Sequence, residues 1–266
     1  MKNTKKIGLA LGSGGFRGFA LIGVLQALEE NNISIDYISG ASIGSLVAAH
    51  YAVFKNLKLL KEMIVGNSKN KLPSVFDLGL RGGLVKGNKF QKMIYRILED
   101  HTFLDTQIPL RIIATDLASG QPYIFKDGPL AISVQASCSV PVLFEPVKIR
   151  GHRLVDGGLS DPVPIEILRS MGAERIIAIN LYHKNEFVNK RFTLTKVALR
   201  STRIALYHLA QASIKGADVV VSPDTSSYIK TNDFKKYLNP EIIEEMILVG
   251  YEETMASMTE IKKILR

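Results

Sequence analysis

The stretch Asp36-Tyr37-Ile38-Ser39-Gly40-Ala41-Ser42-Ile43-Gly44 decides how this chain is read, because it joins a short apolar run to an Ala-rich apolar segment from Leu46 to Phe54. That order predicts a strand over 36–39, a sharp turn, and a helix. A serine at the apex of such a turn takes a strained backbone conformation that holds its hydroxyl clear of its neighbours. Gly40 and Gly44, two before and two after, let strand and helix approach closely. Ser42 is therefore a candidate nucleophile. As a bare pattern G-x-S-x-G also arises by chance, and the strand-turn-helix setting is what raises it above that.

Upstream, Ile7 to Leu11 is a short apolar run closed by Gly12-Ser13-Gly14-Gly15-Phe16-Arg17-Gly18 and followed by an amphipathic run to Glu30. Leu21, Val24, Leu25 and Leu28 recur at helical spacing there, so the segment predicts strand, glycine-rich loop, helix. Two strands joined through a helix run parallel, and both following loops then open at the same carboxyl edge of the sheet. The glycine loop is thus expected beside Ser42. Its backbone N–H groups suit an oxyanion, with Gly14 and Gly15 as the favoured donors and the Ile43 N–H as a third. A dinucleotide fingerprint is the rival reading. Counted from Gly12, however, G-x-G-x-x-G puts Arg17 where the third glycine belongs, and the second strand ends in no acid.

A serine hydroxyl needs a base. His50 lies about two turns into the Ser42 helix, His101, His152 and His183 fall in expected loops or turns, and His208 lies within a long helix, so none has a persuasive setting. The better candidate is Asp156. It follows a predicted hairpin (Val147 to Ile149, Arg153 to Val155) and precedes Gly157-Gly158, where backbone folds tightly and a carboxylate can reach across the sheet edge. An ordinary Asp-Gly turn is the alternative reading of the same residues.

Further strands are predicted at 110–116, 122–125, 175–181 and 217–221. Helices are predicted at 55–65, 88–98, 130–137, 193–213 and 240–265, with another opening at Asp161-Pro-Val-Pro164. Residues 66–87 are rich in Gly, Lys, Asn and Pro and read as a mobile basic segment, either a solvated connector or a lid. The 266 residues, 46% hydrophobic and 22% charged, show no repeat or convincing linker, so one domain over 1–266 is expected. The single cysteine, Cys138, excludes an internal disulfide and a Cys-cluster metal site, and fits a reducing compartment. Gly12 to Gly18 interrupt the apolar run after the basic start, so a mature cytosolic N-terminus is expected, with no membrane span. A net charge of +9 favours an anionic contact. With lysines at 55, 58, 61, 69 and 71, the expectation is reversible attachment to an anionic membrane surface rather than to nucleic acid.

Three separated motifs in this order, Gly14-Gly15-Phe16-Arg17-Gly18, Gly40-Ala41-Ser42-Ile43-Gly44 and Asp156-Gly157-Gly158, resemble the patatin-like phospholipase family. The likeness is strongest to bacterial members similar to the catalytic domain of neuropathy target esterase. The stretches Ile22-Gly23-Val24-Leu25 and Ala136-Ser137-Cys138-Ser139-Val140-Pro141 also look like family sequence, and the resemblance covers most of residues 7–222. It implies an α/β fold with a mostly parallel central sheet flanked by helices, a Ser42-Asp156 dyad in place of a triad, no metal or cofactor, and hydrolysis of acyl esters in lipids. Arg17 is left as a brace of the glycine loop or an attractor of anionic head groups. Ser13, Phe16 and Leu21 depart from the family pattern, which bears on the acyl group accepted more than on the reaction. Asp161 is expected to cap the helix after it, and as a second acid near Asp156 to raise that group's pKa. A transacylase shares the first step, and a non-catalytic lipid-binding protein of the same fold is the alternative from another class.

Overall fold

The computed structural model describes residues 5–70, 88–141, 143–187, 194–229 and 239–265. Among these, eight strands form one sheet: β1 (Ile7–Leu11), β2 (Tyr37–Ala41), β3 (Leu110–Asp116), β4 (Pro122–Phe125), β5 (Val147–Ile149), β6 (His152–Asp156), β7 (Arg175–Ile179) and β8 (Val219–Val221). The order is β5-β6-β3-β2-β1-β7-β8, with β4 paired to β3 off that path. From β3 to β8 neighbouring strands are parallel, while β4, β5 and β6 add antiparallel pairs at one side. The helices are α1 (Ala20–Glu30), α2 (Ile43–Phe54), α3 (Leu57–Asn70), α4 (Asn88–Leu98), α5 (Leu130–Ser137), α6 (Glu166–Ser170), α7 (Leu194–Ser213), α8 (Pro240–Ala256) and α9 (Met258–Ile264).

Alternation along the central strands puts a core on each face of the sheet. In β1, Leu9 and Leu11 enter the larger core, which also holds residues of α1 to α5, α8 and α9, while Ala10 faces a smaller core with Leu168 of α6 and Ala210 of α7. Likewise Ile177 and Ile179 of β7 join the first, and Ile176 and Ala178 the second. This is an α/β architecture of three layers.

Register explains how two residues distant in sequence meet. Ala114 of β3 pairs with Tyr123 of β4 on one flank and with Asp156 of β6 on the other. Ile113 pairs with Ile124 of β4 and with Ala41 of β2, so β2 and β6 share the flank opposite β4. They approach along it from opposite directions. Each therefore delivers its last residue to the same point beside β3: Ala41, leading into Ser42, and Asp156.

The expected elements are largely present, with differences at boundaries. The second strand is shifted, starting at Tyr37 and running through Gly40 to Ala41. Residues 66–70, expected as the start of a mobile segment, continue α3, and the remainder of that segment, 71–87, lies outside the described residues. The helix expected to open at Asp161 begins only at Glu166, because Pro162 and Pro164 interrupt the backbone hydrogen bonding before it.

Helices α1 and α8 cross where Gly23 faces Gly250. A Cβ on Gly23 would collide with the Ile247 carbonyl oxygen, and one on Gly250 with that of Ala20. Backbone is rigid, so neither neighbour can yield cheaply. Gly250→Ala is expected to destabilise the protein by about 1–3 kcal/mol, the usual cost of overpacking, measured as a lower urea midpoint at unchanged m-value.

Candidate active site

The carboxyl ends of β1, β2 and β7 lie side by side, so the loops after them converge on one edge. After β2 the chain turns within one residue into α2. Ser42 is the residue at that turn, with φ 52° and ψ −127°, a left-handed conformation for a non-glycine side chain. The flanking glycines are required by contact. A Cβ on Gly40 would lie 2.5 Å from the Gly44 carbonyl oxygen, and one on Gly44 would collide with that of Leu11.

Ser42 Oγ donates to Asp156 Oδ2 at 2.6 Å. Both residues are 6% exposed. The second carboxylate oxygen of Asp156 accepts the Gly158 N–H at 2.8 Å, which fixes the carboxylate plane. Thr115 Oγ1 donates to the Asp156 carbonyl, and the Asp156 N–H donates to the Ser139 carbonyl oxygen at 2.9 Å. Gly157 lies against the Ile113 carbonyl with no room for a side chain. Burial lifts the Asp156 carboxyl to about 6, against the opposing pull of the Ser42 hydroxyl and the Gly158 amide. Such a carboxylate is ionised at neutral pH and basic enough to accept a proton in a reaction.

Asp161 contributes differently from the expectation. Burial is the largest cause of its own raised pKa, also about 6, followed by the charge of Glu166. It does not figure among the influences on Asp156. Helix α6 begins five residues further on, with Ile165 at its N-cap position, so Asp161 does not cap it.

The glycine loop after β1 is held on both sides. Gly12 N–H donates to the Ile179 carbonyl and Ser13 N–H to that of Pro162. Ser13 Oγ shares a hydrogen bond with Tyr182 OH at 2.9 Å, and it also lies where a Cβ on Gly158 would come within 2.6 Å. The loop therefore abuts the Asp156 turn. Gly18 packs on the Ile43 side chain so closely that a Cβ there would collide with it. Gly15, at φ 60°, opens a 3-10 turn (Gly15–Phe19) that leads into α1. Arg17 is buried and donates Nη1 to the Gly14 carbonyl at 2.8 Å, with its guanidinium 5.4 Å from the centre of the Tyr182 ring. In a planar trans peptide the C=O and the following N–H point opposite ways, so anchoring the Gly14 carbonyl to Arg17 also fixes the direction of the Gly15 N–H. Arg17 is a brace of this loop. Among the described residues, the amides of Gly14, Gly15 and Ile43 donate to no acceptor and are available to a bound group.

Other reactive side chains nearby are suppressed. Burial, and then the Asp156 charge, push the Cys138 thiol up, so it stays protonated beside Ser45. His50 is fully buried against Phe54, and burial lowers it to about 4, which keeps the imidazole neutral. His152 lies in β6 rather than a loop and bonds Asp116. Among the described residues no three His, Cys, Asp or Glu side chains are grouped as metal ligands, and no helix is long and apolar enough to cross a membrane. Of the lysines expected to face lipid, Lys55 and Lys58 are exposed, but Lys61 is drawn into an ion pair with Glu244 of α8 at 2.6 Å. The Lys69 side chain and Lys71 lie outside the described residues.

Sequence reasoning missed Tyr182, which ties Ser13 to Arg17 across the loop. Its only signal was its place just after the β7 strand, at the same carboxyl edge.

Residues 9–169 match the family model for patatin-like phospholipase. Over 188 residues the chain is 36% identical to patatin-like phospholipase domain-containing protein 6 of Homo sapiens, covering 68% of this chain and 14% of that protein. It is 31% identical over 180 residues to an uncharacterized NTE family protein of Mycobacterium tuberculosis, covering 67% of this chain and 50% of the relative. The chain thus spans half or less of the length of these relatives. Among solved structures, VipD from Legionella pneumophila superposes with a TM-score of 0.53 at 16% identity, over 95% of this chain and 66% of that one, a likeness of fold.

Proposed function

Because the chain belongs to the patatin-like phospholipase family, we propose that it hydrolyses acyl esters of lipids through a Ser42-Asp156 dyad and a covalent acyl-enzyme. The observation that carries this reading is the 2.6 Å hydrogen bond from Ser42 Oγ to Asp156 Oδ2 at a strained turn. In the first step Oγ attacks the ester carbonyl carbon as its proton passes to Asp156, and the new oxyanion is met by the Gly14, Gly15 and Ile43 amides. Collapse of the tetrahedral adduct breaks the carbon–oxygen bond to the leaving alcohol, which takes the proton from Asp156. Water then attacks the acyl-Ser42 ester, giving its proton to Asp156, and the second collapse returns that proton to Ser42 as the fatty acid leaves. No step uses a metal. The reading includes reversible contact with an anionic lipid surface, supported by the net charge of +9.

The test is a panel of short soluble esters, lysophospholipids, diacyl phospholipids and triacylglycerols, with released fatty acid and acylation of the Ser42 peptide followed by mass spectrometry. Fatty acid release that persists in chelator, with acyl label on Ser42, is expected. Absence of release from every acyl ester, or activity lost in chelator and restored by a divalent ion, would contradict it. Adding a competing alcohol measures how much acyl group is transferred to it instead of to water.

A further inference from the structure

The mechanism leaves one buried turn unused, the residues Ser137-Cys138-Ser139 at the end of α5. We propose that this turn is the clamp that holds nucleophile and base in register, and that Ser137 is a positioning residue for Ser42. The proposal rests on the dyad reading above.

The backbone N–H of Ser42 donates to Ser137 Oγ at 2.8 Å, and Ser137 Oγ donates to the Ile113 carbonyl at 2.5 Å. Its one proton is committed to Ile113, so a lone pair faces Ser42 and the hydroxyl has a single orientation. Two residues on, the Ser139 carbonyl accepts the N–H of Asp156. One short turn thus receives the main-chain N–H of both members of the dyad. Ile113 is the residue of β3 that pairs with Ala41, next to the one that pairs with Asp156, so the clamp is tied to the strand on which β2 and β6 converge.

The need for a clamp follows from geometry. Ser42 sits at positive φ in a turn that its own chain does not favour, and its N–H is buried, so an acceptor must be supplied from outside α2. No other acceptor for that N–H stands in the structure among the described residues. Ser137 is fully buried, and a Cβ on Gly157 would lie 3.3 Å from its Oγ, so the site admits a small side chain with one oxygen and little else. Losing the acceptor frees the Ser42 peptide to rotate, which moves Oγ relative to the carboxylate and shifts the direction of the adjoining Ile43 amide. A displacement of about 1 Å in a reacting group costs on the order of 10²-fold in rate.

The experiment compares Ser137→Ala with Ser133→Ala. Ser133 lies one turn earlier in the same helix, is also buried, and bonds a backbone carbonyl, that of Pro129, at 2.9 Å. It touches neither member of the dyad. Rates are measured on a soluble chromogenic ester and divided by the concentration of sites that a fluorophosphonate labels at end point, which removes differences in folded fraction. Ser137→Ala is expected to lose about 10²-fold in kcat with KM within about twofold, and to label more slowly. Ser133→Ala is expected to stay within about threefold of the parent. Equal effects of the two substitutions, or a Ser137→Ala kcat per site within about threefold of the parent, would overturn the proposal. If Ser137→Ala yields no labelled protein, Ser137→Cys, whose thiol is a weaker acceptor, is judged by the same criteria. Failure of the dyad reading looks different, since the parent would then carry no label on Ser42.

Discussion

Ser42→Ala is expected to lower kcat on any ester substrate by about 10⁴-fold while leaving the fold in place. The loss is large because no second nucleophile stands ready. The Cys138 thiol beside it is held protonated by burial, and His50 is neutral and packed against Phe54. The fold survives because the contacts that set the turn are made by the Ser42 main chain. Its N–H donates to Ser137, and its carbonyl accepts from the Ser45 amide and from Ser45 Oγ. Removing the buried hydroxyl takes one hydrogen bond from the Asp156 carboxylate, so a stability loss of about 1–3 kcal/mol is expected, short of unfolding the protein. Adding Asp156→Asn to Ser42→Ala is expected to lower kcat little further, because nucleophile and base act as one unit. Circular dichroism and a denaturant titration check the fold, and steady-state kinetics the rate. A folded Ser42→Ala protein with more than a tenth of parental kcat would remove Ser42 from the mechanism.

What the sequence made legible was local. Gly40, Ser42 and Gly44 needed only their strand-turn-helix setting, and the glycine loop needed only the rule that consecutive parallel strands open on one edge. Asp156 was a weaker reading, since Asp-Gly after a hairpin is as good a turn as a base. What brings Asp156 to Ser42 is the shared flank of β3, fixed by the pairing of Ala114 with Asp156 and of Ile113 with Ala41, and no local pattern encodes that meeting of residues 114 positions apart. Tyr182, Ser137 and the Glu244 partner of Lys61 were hidden for the same reason. Each acts across a tertiary contact, with Ser13 and Tyr182 169 positions apart and Ser42 and Ser137 95 positions apart. Asp161 misled because Asp before Pro is a good local start for a helix, whereas the second proline, Pro164, delays the hydrogen-bonded turn to Glu166. Charge read in one dimension also overcounted, since a lysine run along α3 loses one member to an acid on α8.

Asp156→Asn is expected to abolish the proposed ester hydrolysis and, at pH 7.5, to make the protein more stable. Burial raises the folded-state pKa of Asp156 from the ordinary 3.8 to about 6. Between those values the folded protein keeps a proton that the unfolded chain has released, so stability falls as pH rises through that window and stays lowered above it. The penalty at neutral pH is on the order of 3 kcal/mol. An asparagine carries no charge to desolvate, and its side-chain oxygen can still accept the Gly158 N–H that Asp156 accepts at 2.8 Å. The gain of Asp156→Asn over the parent should therefore appear in urea titrations at pH 7.5, shrink through pH 6 to 4, and vanish near pH 3.5. Catalysis follows the same group in the opposite direction. The base must be ionised, so kcat/KM of the parent should be level above about pH 6 and fall tenfold per unit below it, while the residual rate of Asp156→Asn should show no such limb. A variant less stable than the parent at pH 7.5, or a stability difference that does not change with pH, would mean that the Asp156 carboxylate is not held at a cost. The parental acid limb would then have to arise from another group.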